Sequence, residues 1–410
     1  MMIISLISIL LSIIMAYFYV KKDKIFIFSP AIVFVAYNLF YIIALIIAYY
    51  GNVGITLSLL GDKGAINTAV LSSSLALPFF LIGYGYRNSV VIHGPQRTLR
   101  LAHLNGFFLC YLFLWLGLMA FGKDLGWHAI SHDNAHGWKT VVFAYAKYCF
   151  VAMALLFIYL RKSKPREIFF IFVTQVALMM VDGGRTTFFG FLVAAAWIWH
   201  QNGGVVKKKH YIFCALALFA ILSARAIVLN QNFADAIVGS VGIEAYFASY
   251  TLLQSVSIVD NTRHILYGLT YLLDPFIYLL PSGIRDDHLI LLKFVGAGNT
   301  DELYAPMGGF YYAAEAYANF GVFGPSLVAF FYALLFRYFE RQVKYYRFVG
   351  IIFIASFSSI ASKVNFANGI KVFLVYLLFT LVFRLFFARL VRPIVNERSM
   401  AAPTTPALLQ

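Results

Sequence analysis

The sequence predicts an all-α polytopic integral membrane protein with about eleven transmembrane helices. Of its 410 residues, 62% are hydrophobic and only 12% are charged, and the mean hydropathy is +0.81. Apolar runs of about twenty residues recur along the chain, which is the length that a helix needs to cross a bilayer. This composition excludes a soluble domain, so the lipid bilayer is the first expected partner.

Apolar runs divide the chain into four predicted parts. Residues 1–230 hold transmembrane helices one to eight, residues 322–392 hold helices nine to eleven, and 393–410 form a polar cytoplasmic tail. Residues 231–321 lack a span with basic flanks, so we expect one large helical extracytoplasmic region with interfacial helices there. The predicted spans are residues 1–20, 25–50, 65–86, 105–121, 141–160, 168–181, 187–200, 211–230, 322–339, 348–364 and 372–390.

The position of the charges predicts an orientation. The chain has 32 Lys and Arg against 17 Asp and Glu, a formal net charge of +15. Most of the basic residues fall in short loops on one side of the predicted spans, which marks that side as cytoplasmic. The N-terminus is then outside and the C-terminus inside. Because the basic residues lie in these short loops, nucleic acid is not an expected partner.

The sequence predicts no metal site and no cofactor. Its three cysteines fall within predicted spans, where they form neither a disulfide framework nor a zinc cluster: Cys110, Cys149 and Cys214. Three histidines recur every four residues in an outer loop: His128, His132 and His136. No acidic or cysteine ligand set completes them, so a polar loop is the favoured interpretation. Motifs for nucleotide phosphates, serine hydrolases, zinc proteases and metal-bound nucleotide sugars are absent from the sequence.

The stretch Leu303–Gly324 contains the most conspicuous polar residue of the chain. Glu315 is a carboxylate among aromatic and small residues, at the predicted outer end of a membrane helix. If Gly309–Phe320 is helical, Tyr311, Glu315 and Asn319 share one face at i, i+4 spacing. We therefore expect this face to bind a substrate.

Two roles are open for Glu315. It is either a general base or a structural partner of a nearby arginine. Its aromatic and amide neighbours are candidates for stacking on a sugar and for hydrogen bonding to it, although a tyrosine-rich helix is also typical of an interfacial belt. These candidate substrate-binding residues are Tyr311, Tyr312, Tyr317 and Asn319.

Two arginines are candidates for binding an anion. Arg185 follows two glycines and begins the seventh predicted span, so a helix N-terminus and a guanidinium coincide there. Arg225 lies roughly 8 Å inside the outer end of the eighth span, at about 1.5 Å per residue. Alternatively, Arg225 extends to the interface or pairs with a carboxylate such as Asp182 or Asp235.

Several of these outer residues form a longer pattern. It comprises Gly183-Gly184-Arg185, then Tyr267-Gly268-Leu269-Thr270-Tyr271 with Pro281, then Gly308-Gly309, and finally Glu315-Ala316-Tyr317-Ala318-Asn319-Phe320-Gly321 with Gly324. The pattern resembles the Wzy-type oligosaccharide repeat-unit (O-antigen) polymerases, and the run that begins at Glu315 is its most specific part. Many spans, a large outer region in the second half and a basic cytoplasmic side extend the resemblance over most of the chain.

The resemblance implies a fold, a location and a reaction. The fold is GT-C-like, and the location is the bacterial inner membrane with the active site facing the periplasm. The reaction is a metal-independent, inverting glycosyl transfer, in which a growing glycan on undecaprenyl diphosphate is moved as a block to a new lipid-linked repeat unit. A chain-length regulator and a flippase are the implied protein partners.

The resemblance also implies roles for named residues. Arg185 is catalytic and binds the diphosphate together with Arg225. Glu315 is the catalytic base, because no residue matches a fixed histidine base. His264 is a second candidate base, and with its neighbour Arg263 it is expected to contact the substrate.

Three alternatives to a polymerase remain. An O-antigen ligase performs the same chemistry on a lipid A core acceptor and relies on an outer-loop histidine with more arginines. A flippase or transporter of lipid-linked sugars is expected to show internal repeats and ionisable residues at mid-membrane, and here these residues collect at the predicted outer face. A sensory or scaffold protein is expected to tolerate replacement of Arg185 and Glu315.

Overall fold

The computed structural model describes residues 1–22, 29–50, 63–85, 101–124, 138–160, 165–182, 185–201, 244–280, 288–296, 310–341, 347–362 and 365–387. Within these ranges the chain forms helices and no strand. The helices are α1 (Met2–Lys22), α2 (Pro30–Tyr50), α3 (Lys63–Tyr84), α4 (Leu101–Asp124), α5 (Trp138–Leu160), α6 (Pro165–Asp182), α7 (Arg185–Gln201), α8 (Glu244–Thr262), α9 (Leu269–Ile277), α10 (Ile290–Gly296), α11 (Tyr312–Phe320), α12 (Gly324–Arg341), α13 (Arg347–Ser362) and α14 (Phe366–Phe387).

The described helices confirm an all-α protein suited to a membrane. Helices α1–α7 and α12–α14 coincide with predicted spans one to seven and nine to eleven, whereas the predicted eighth span, residues 211–230, lies outside the described residues. Among the described residues, five helical segments are long and apolar enough to cross a bilayer: Met2–Lys21, Pro30–Ile47, Gly64–Tyr84, Val142–Tyr159 and Tyr312–Glu340. The last of these combines α11 and α12 through a short 3₁₀ turn, Gly321–Phe323.

Aromatic rings pack α2, α3 and α12 together. The Phe34 ring stacks on Phe80 at 4.0 Å between centroids, and Phe80 meets Phe336 edge-on at 6.4 Å. The helices approach closely because Gly83 has no side chain: a Cβ there would lie 2.8 Å from the carbonyl oxygen of Phe330. Small residues at such crossings are typical of helices that pack within a bilayer.

A second aromatic stack joins α12, α13 and α14. The Phe339 and Phe353 rings stack at 4.0 Å, and Phe353 also stacks on Phe357 at 4.1 Å. Phe357 then meets Phe366, the first residue of α14, at 5.9 Å. This stack fixes the position at which α14 begins, next to the residues of α11.

Helix α8 belongs to the packed interior, although it lies in the region 231–321. The hydroxyl of Ser249 donates a hydrogen bond to the carbonyl of Tyr41 in α2 at 3.1 Å. The backbone N–H of Tyr311, just before α11, donates to the hydroxyl of Thr251 at 3.1 Å. Helix α8 therefore contacts both α2 and the start of α11.

At the junction between α11 and α12, adding a single methyl group to Gly324 should lower the stability of the protein. A Cβ on Gly324 would overlap the carbonyl of Ala316, which is backbone and has no space to move. We expect Gly324→Ala to lower the free energy of unfolding by about 1–3 kcal/mol, the usual cost of overpacking. Thermal melting of the purified protein in detergent measures the loss.

Gly117→Ala is the matched control for this prediction. Gly117 lies within α4, and nothing is within 4 Å of a Cβ built on it. Alanine has the better helix propensity, so this variant should melt at or above the temperature of the native protein. If Gly324→Ala melts like Gly117→Ala, the close approach at the junction is not a constraint.

Candidate functional site

Glu315 lies in the first turn of α11, where its buried side chain contacts residues from two other helices. Only 1% of its surface is exposed. Its Oε1 accepts a hydrogen bond from the hydroxyl of Thr270 in α9 at 2.9 Å, and its Oε2 accepts one from the backbone N–H of Phe366 at 2.9 Å. Both carboxylate oxygens are therefore engaged by protein donors.

Asn319, one turn after Glu315, completes a three-residue cluster. Its Nδ2 donates to the Thr270 hydroxyl at 2.7 Å and to the carbonyl of Glu315 at 2.7 Å, and its Oδ1 accepts from the Thr270 N–H at 3.5 Å. The Thr270 hydroxyl accepts from Asn319 and donates to Glu315, so its one proton and one of its lone pairs are used. We name Thr270, Glu315 and Asn319 the α9–α11 cluster.

The same carboxylate caps the start of α14. Phe366 is the first residue of that helix, and its N–H has no partner within the helix. Asn365 supplies the ordinary cap, because its Oδ1 accepts from the N–H of Asn368 at 3.1 Å. Glu315, which lies outside the helix, accepts the N–H of Phe366. A carboxylate at the start of a helix also interacts favourably with the helix dipole. No cation contacts Glu315 among the residues that the structure describes.

Tyr311 does not share the face of Glu315 and Asn319, which corrects the expected three-residue face. Helix α11 begins at Tyr312, three residues later than the pattern suggests, and Tyr311 is extended with φ −104° and ψ 125°. The Tyr311 hydroxyl donates to Oδ1 of Asn38 in α2 at 2.6 Å. Tyr311 therefore fixes α11 to α2, on a different side from the α9–α11 cluster.

Tyr312 and Tyr317, the other aromatic candidates, are also buried. The Tyr312 ring lies 5.3 Å from Phe34 and 5.7 Å from Tyr332. The hydroxyls of Tyr312 and Tyr332 have no hydrogen-bond partner within the described part of the chain. The Tyr312 side of α11 is thus a packing surface against α2 and α12, and Tyr312 of α11 and Tyr332 of α12 each leave one hydroxyl there without a partner among the described residues.

An exposed turn, residues 263–268, connects α8 to α9 beside this buried helix. The Leu266 N–H donates to the carbonyl of Ala318 at 2.9 Å, which holds the turn against the end of α11. Arg263 and His264 are both exposed on it. Arg263 and Tyr267 have φ of 53° and 49°, a region that non-glycine residues occupy at a cost and that is enriched at functional sites.

Two polar residues of this region have no role predicted from the sequence: Thr270, which appears only as part of the longer pattern, and Asp274. They are one helical turn apart on the buried face of α9, and that spacing on an otherwise apolar helix was the available signal. Asp274 accepts the N–H groups of Ile290 at 2.9 Å and Leu291 at 3.2 Å, so it caps α10. Burial raises the pKa of Asp274 above the usual range of an aspartate, and the two amide donors oppose this shift.

Several predicted residues cannot be placed against this cluster. Arg185 is the first residue of α7, but only its backbone lies within the described structure. Arg225, the three histidines of the outer loop and residues Gly308 and Gly309 lie outside the described residues. Where the chain is described, no group of three or more histidine, cysteine or acidic residues could hold a metal ion.

The sequence and the structure were compared with known protein families, curated proteins and solved structures. No family model, no curated protein and no solved structure matches it. The functional argument therefore rests on the residues and contacts described above.

The contacts of the α9–α11 cluster predict that removing the Thr270 hydroxyl lowers the free energy of unfolding. Thr270→Val keeps the shape of the side chain but leaves Glu315 Oε1 without its buried donor and Asn319 Nδ2 with only the carbonyl of Glu315 as acceptor. We expect a loss of about 1–3 kcal/mol in the free energy of unfolding, the usual cost of a buried unsatisfied group. Thermal melting in detergent tests this.

Thr380→Val is the control for Thr270→Val. The Thr380 hydroxyl donates only to the carbonyl of Tyr376 within its own helix, so its removal leaves no second side chain without a donor. It should change stability by less than about 0.5 kcal/mol. Equal losses in the two variants would mean that the cluster contributes nothing beyond a local bond.

Asp274 predicts a pH dependence of stability. Because its pKa is raised in the folded protein, the fold binds the proton more tightly than the unfolded chain does. The stability contributed by the protonated form is fully present below the unfolded value of about 4 and is lost as the pH rises through the folded pKa. The melting temperature of the native protein relative to that of Asp274→Asn should therefore fall as the pH rises across this window. A constant or rising difference would contradict the assignment.

Proposed function

We propose that this protein is a membrane glycosyltransferase that polymerises undecaprenyl-diphosphate-linked oligosaccharide repeat units. In this proposal about eleven spans form a GT-C-like domain in the bacterial inner membrane, with the active site at the periplasmic face. The growing chain is transferred as a block to a new lipid-linked unit. The product is an O-antigen or a related surface polysaccharide.

One observation supports the proposal more than any other. The two longest runs of the polymerase-like pattern, residues 267–271 and 315–321, are far apart in the sequence but meet through the α9–α11 cluster, with Thr270 and Glu315 at 2.9 Å. Polar side chains commonly bond across packed membrane helices, and in this contact both partners belong to the polymerase-like pattern. Their meeting is consistent with a single functional unit at this point of the fold.

The proposed reaction is a single displacement. The acceptor hydroxyl oxygen forms a bond to the anomeric carbon of the donor glycan, while the bond from that carbon to the diphosphate oxygen breaks. Undecaprenyl diphosphate leaves with the electron pair and needs no proton, but its developing charge needs cations. Arg185 and Arg225 are the proposed cations, and inversion at the anomeric carbon follows from one displacement.

Two residues can accept the proton of the acceptor hydroxyl. Glu315 is the base that the sequence favours, and a substrate hydroxyl would have to enter its buried surroundings and bind beside the Thr270 hydroxyl at Oε1 or take its place. His264 is exposed beside Arg263 on the turn that adjoins α11, where a sugar has free access. If His264 is the base, Glu315 is a positioning residue that holds this turn and the start of α14.

An O-antigen ligase is the second candidate function. The observation that favours it is the exposed His264 next to Arg263 on a backbone with two positive φ angles, because a ligase relies on an outer-loop histidine and arginine. In that case the acceptor is the lipid A core and the polymer is formed by another protein.

The glycan profile of a strain without this protein tests the proposed function. Complementation should restore a ladder of polysaccharide lengths, and Glu315→Gln should abolish it while Thr270→Val, at equal membrane abundance, retains part of it. Removal of a general base lowers a rate by about 10²–10⁴-fold, whereas loss of a positioning bond has a smaller effect. His264→Gln is compared with His288→Gln, an exposed histidine at the start of α10, as its control.

The other outcomes identify the alternatives. If Glu315→Gln and Thr270→Val lose the ladder equally and His264→Gln abolishes it, His264 is the base. If long lipid-linked polymer accumulates without transfer, the protein is a ligase. If no repeat unit reaches the outer face, it is a flippase and the proposed chemistry is wrong.

A further inference from the structure

The exposed turn between α8 and α9 carries an aromatic ring on an unfavourable backbone conformation. Tyr267 is exposed by 75%, and its φ is 49°. A residue with a Cβ occupies this region of backbone space at a cost, whereas glycine occupies it freely. Arg263 is the only other non-glycine residue with a positive φ in the described part of the chain, and it is exposed on the same turn.

The contacts of the fold do not account for a tyrosine at this position. Within the part of the chain that the structure describes, the Tyr267 ring contacts no other aromatic ring and its hydroxyl makes no hydrogen bond. The residues on either side anchor the turn instead. The Leu266 N–H donates to the carbonyl of Ala318 at 2.9 Å, and a Cβ on Gly268 would lie 3.2 Å from the Phe320 ring. Because glycine would suit the backbone at position 267 better, the tyrosine contributes something other than folding stability.

The segment that leads to Tyr267 exposes several polar side chains. Asp260 and Asn261 are exposed at the end of α8, directly before the exposed Arg263 and His264. The carboxylate of Asp260 also lies close enough to Tyr317 of α11 for an electrostatic interaction. This surface therefore combines an aromatic ring with a carboxylate and an amide next to α11.

We propose that Tyr267 stacks on a sugar ring of a bound glycan, and that Asp260 and Asn261 bind the hydroxyls of the glycan. One face of a pyranose carries C–H groups with partial positive charge, which suit the negative face of an aromatic ring. Carboxylate and amide groups accept hydrogen bonds from hydroxyls, and the amide also donates to them.

The conformation of the turn favours a glycan over the membrane interface as the reason for this tyrosine. An interfacial tyrosine needs no particular backbone conformation, whereas a ring that stacks on a sugar must be held in one place. The anchored turn holds the ring before the glycan arrives, so less freedom is lost on binding. The identity of the glycan as a lipid-linked repeat unit rests on the proposed function, but stacking on a sugar does not require the transfer reaction.

Glycan binding by the purified full-length protein in nanodiscs tests this site. The probe is the mixture of oligosaccharides that mild acid releases from the surface polysaccharide of the bacterium that makes the protein, and microscale thermophoresis measures its Kd. Tyr267→Ala should raise the Kd about tenfold, as truncation of an aromatic anchor commonly does. Tyr267→Phe keeps the ring and should stay within about twofold of the wild type.

Two further variants make the result specific. Tyr267→Gly relieves the backbone, so it should melt at or above the temperature of the native protein and yet lose as much affinity as Tyr267→Ala. Tyr338→Ala is the matched control, because Tyr338 is exposed by 57% but lies about 21 Å along α12 from its junction with α11. It should leave the Kd unchanged.

Three results would overturn the inference. If Tyr267→Gly melts below the native protein, the ring serves the fold. If Tyr267→Ala binds the oligosaccharides as well as the wild type does, the ring is an interfacial tyrosine. If the wild type binds none of them, the turn is not a glycan site.

The glycan ladder of the complemented strain tests the proposed function separately. If complementation restores the ladder while the Tyr267 variants bind like the wild type, the proposed function stands and this inference fails. If loss of the protein leaves the ladder unchanged while Tyr267→Ala and Tyr267→Gly lose affinity, the glycan site stands and the proposed function fails.

Discussion

A buried carboxylate must find hydrogen-bond donors inside the protein, and this constraint on Glu315 shapes the part of the structure that carries the candidate site. The cost of burying an unpartnered charge exceeds what most single contacts contribute, so the surrounding elements have to supply donors. Here α9 supplies the hydroxyl of Thr270 and α14 supplies its first backbone amide. Helix α11 is thereby fixed between two elements that approach it from different parts of the chain.

The same contacts explain why the exposed turn 263–268 is held in a strained conformation. The turn ends at α9, whose Thr270 is bound to Glu315 and Asn319, and its Leu266 amide is bound to the last turn of α11. Anchored at both positions, the backbone at Arg263 and Tyr267 keeps its positive φ angles. The buried cluster is therefore connected through the backbone to the turn that carries the exposed Arg263 and His264.

The described helices expose apolar side chains on their outer surfaces, as expected of helices in a bilayer. Helix α1 exposes large apolar residues along most of its length, and α12 and α14 expose apolar stripes, which is favourable only in contact with hydrocarbon. Several buried polar side chains of these helices bond to the backbone of their own helix, as in the back-bonding of Ser12 to Ser8 and of Asn38 to Phe34. Lysines at these helices lie against tyrosine rings, which places charge where lipid and water meet.

The sequence by itself determined the helical class, the positions of α1–α7 and α12–α14, and the placement of Glu315 and Asn319 one turn apart on one helix. The length of an apolar run and the i, i+4 spacing of residues are local properties, so both can be recognised in the sequence without knowledge of the fold. Only the tertiary structure decided that Thr270 and the Phe366 amide meet Glu315, and that Tyr311 turns away to Asn38. These partners lie 45, 51 and 273 residues apart, and no local pattern encodes such contacts, because they arise from how whole helices pack against one another.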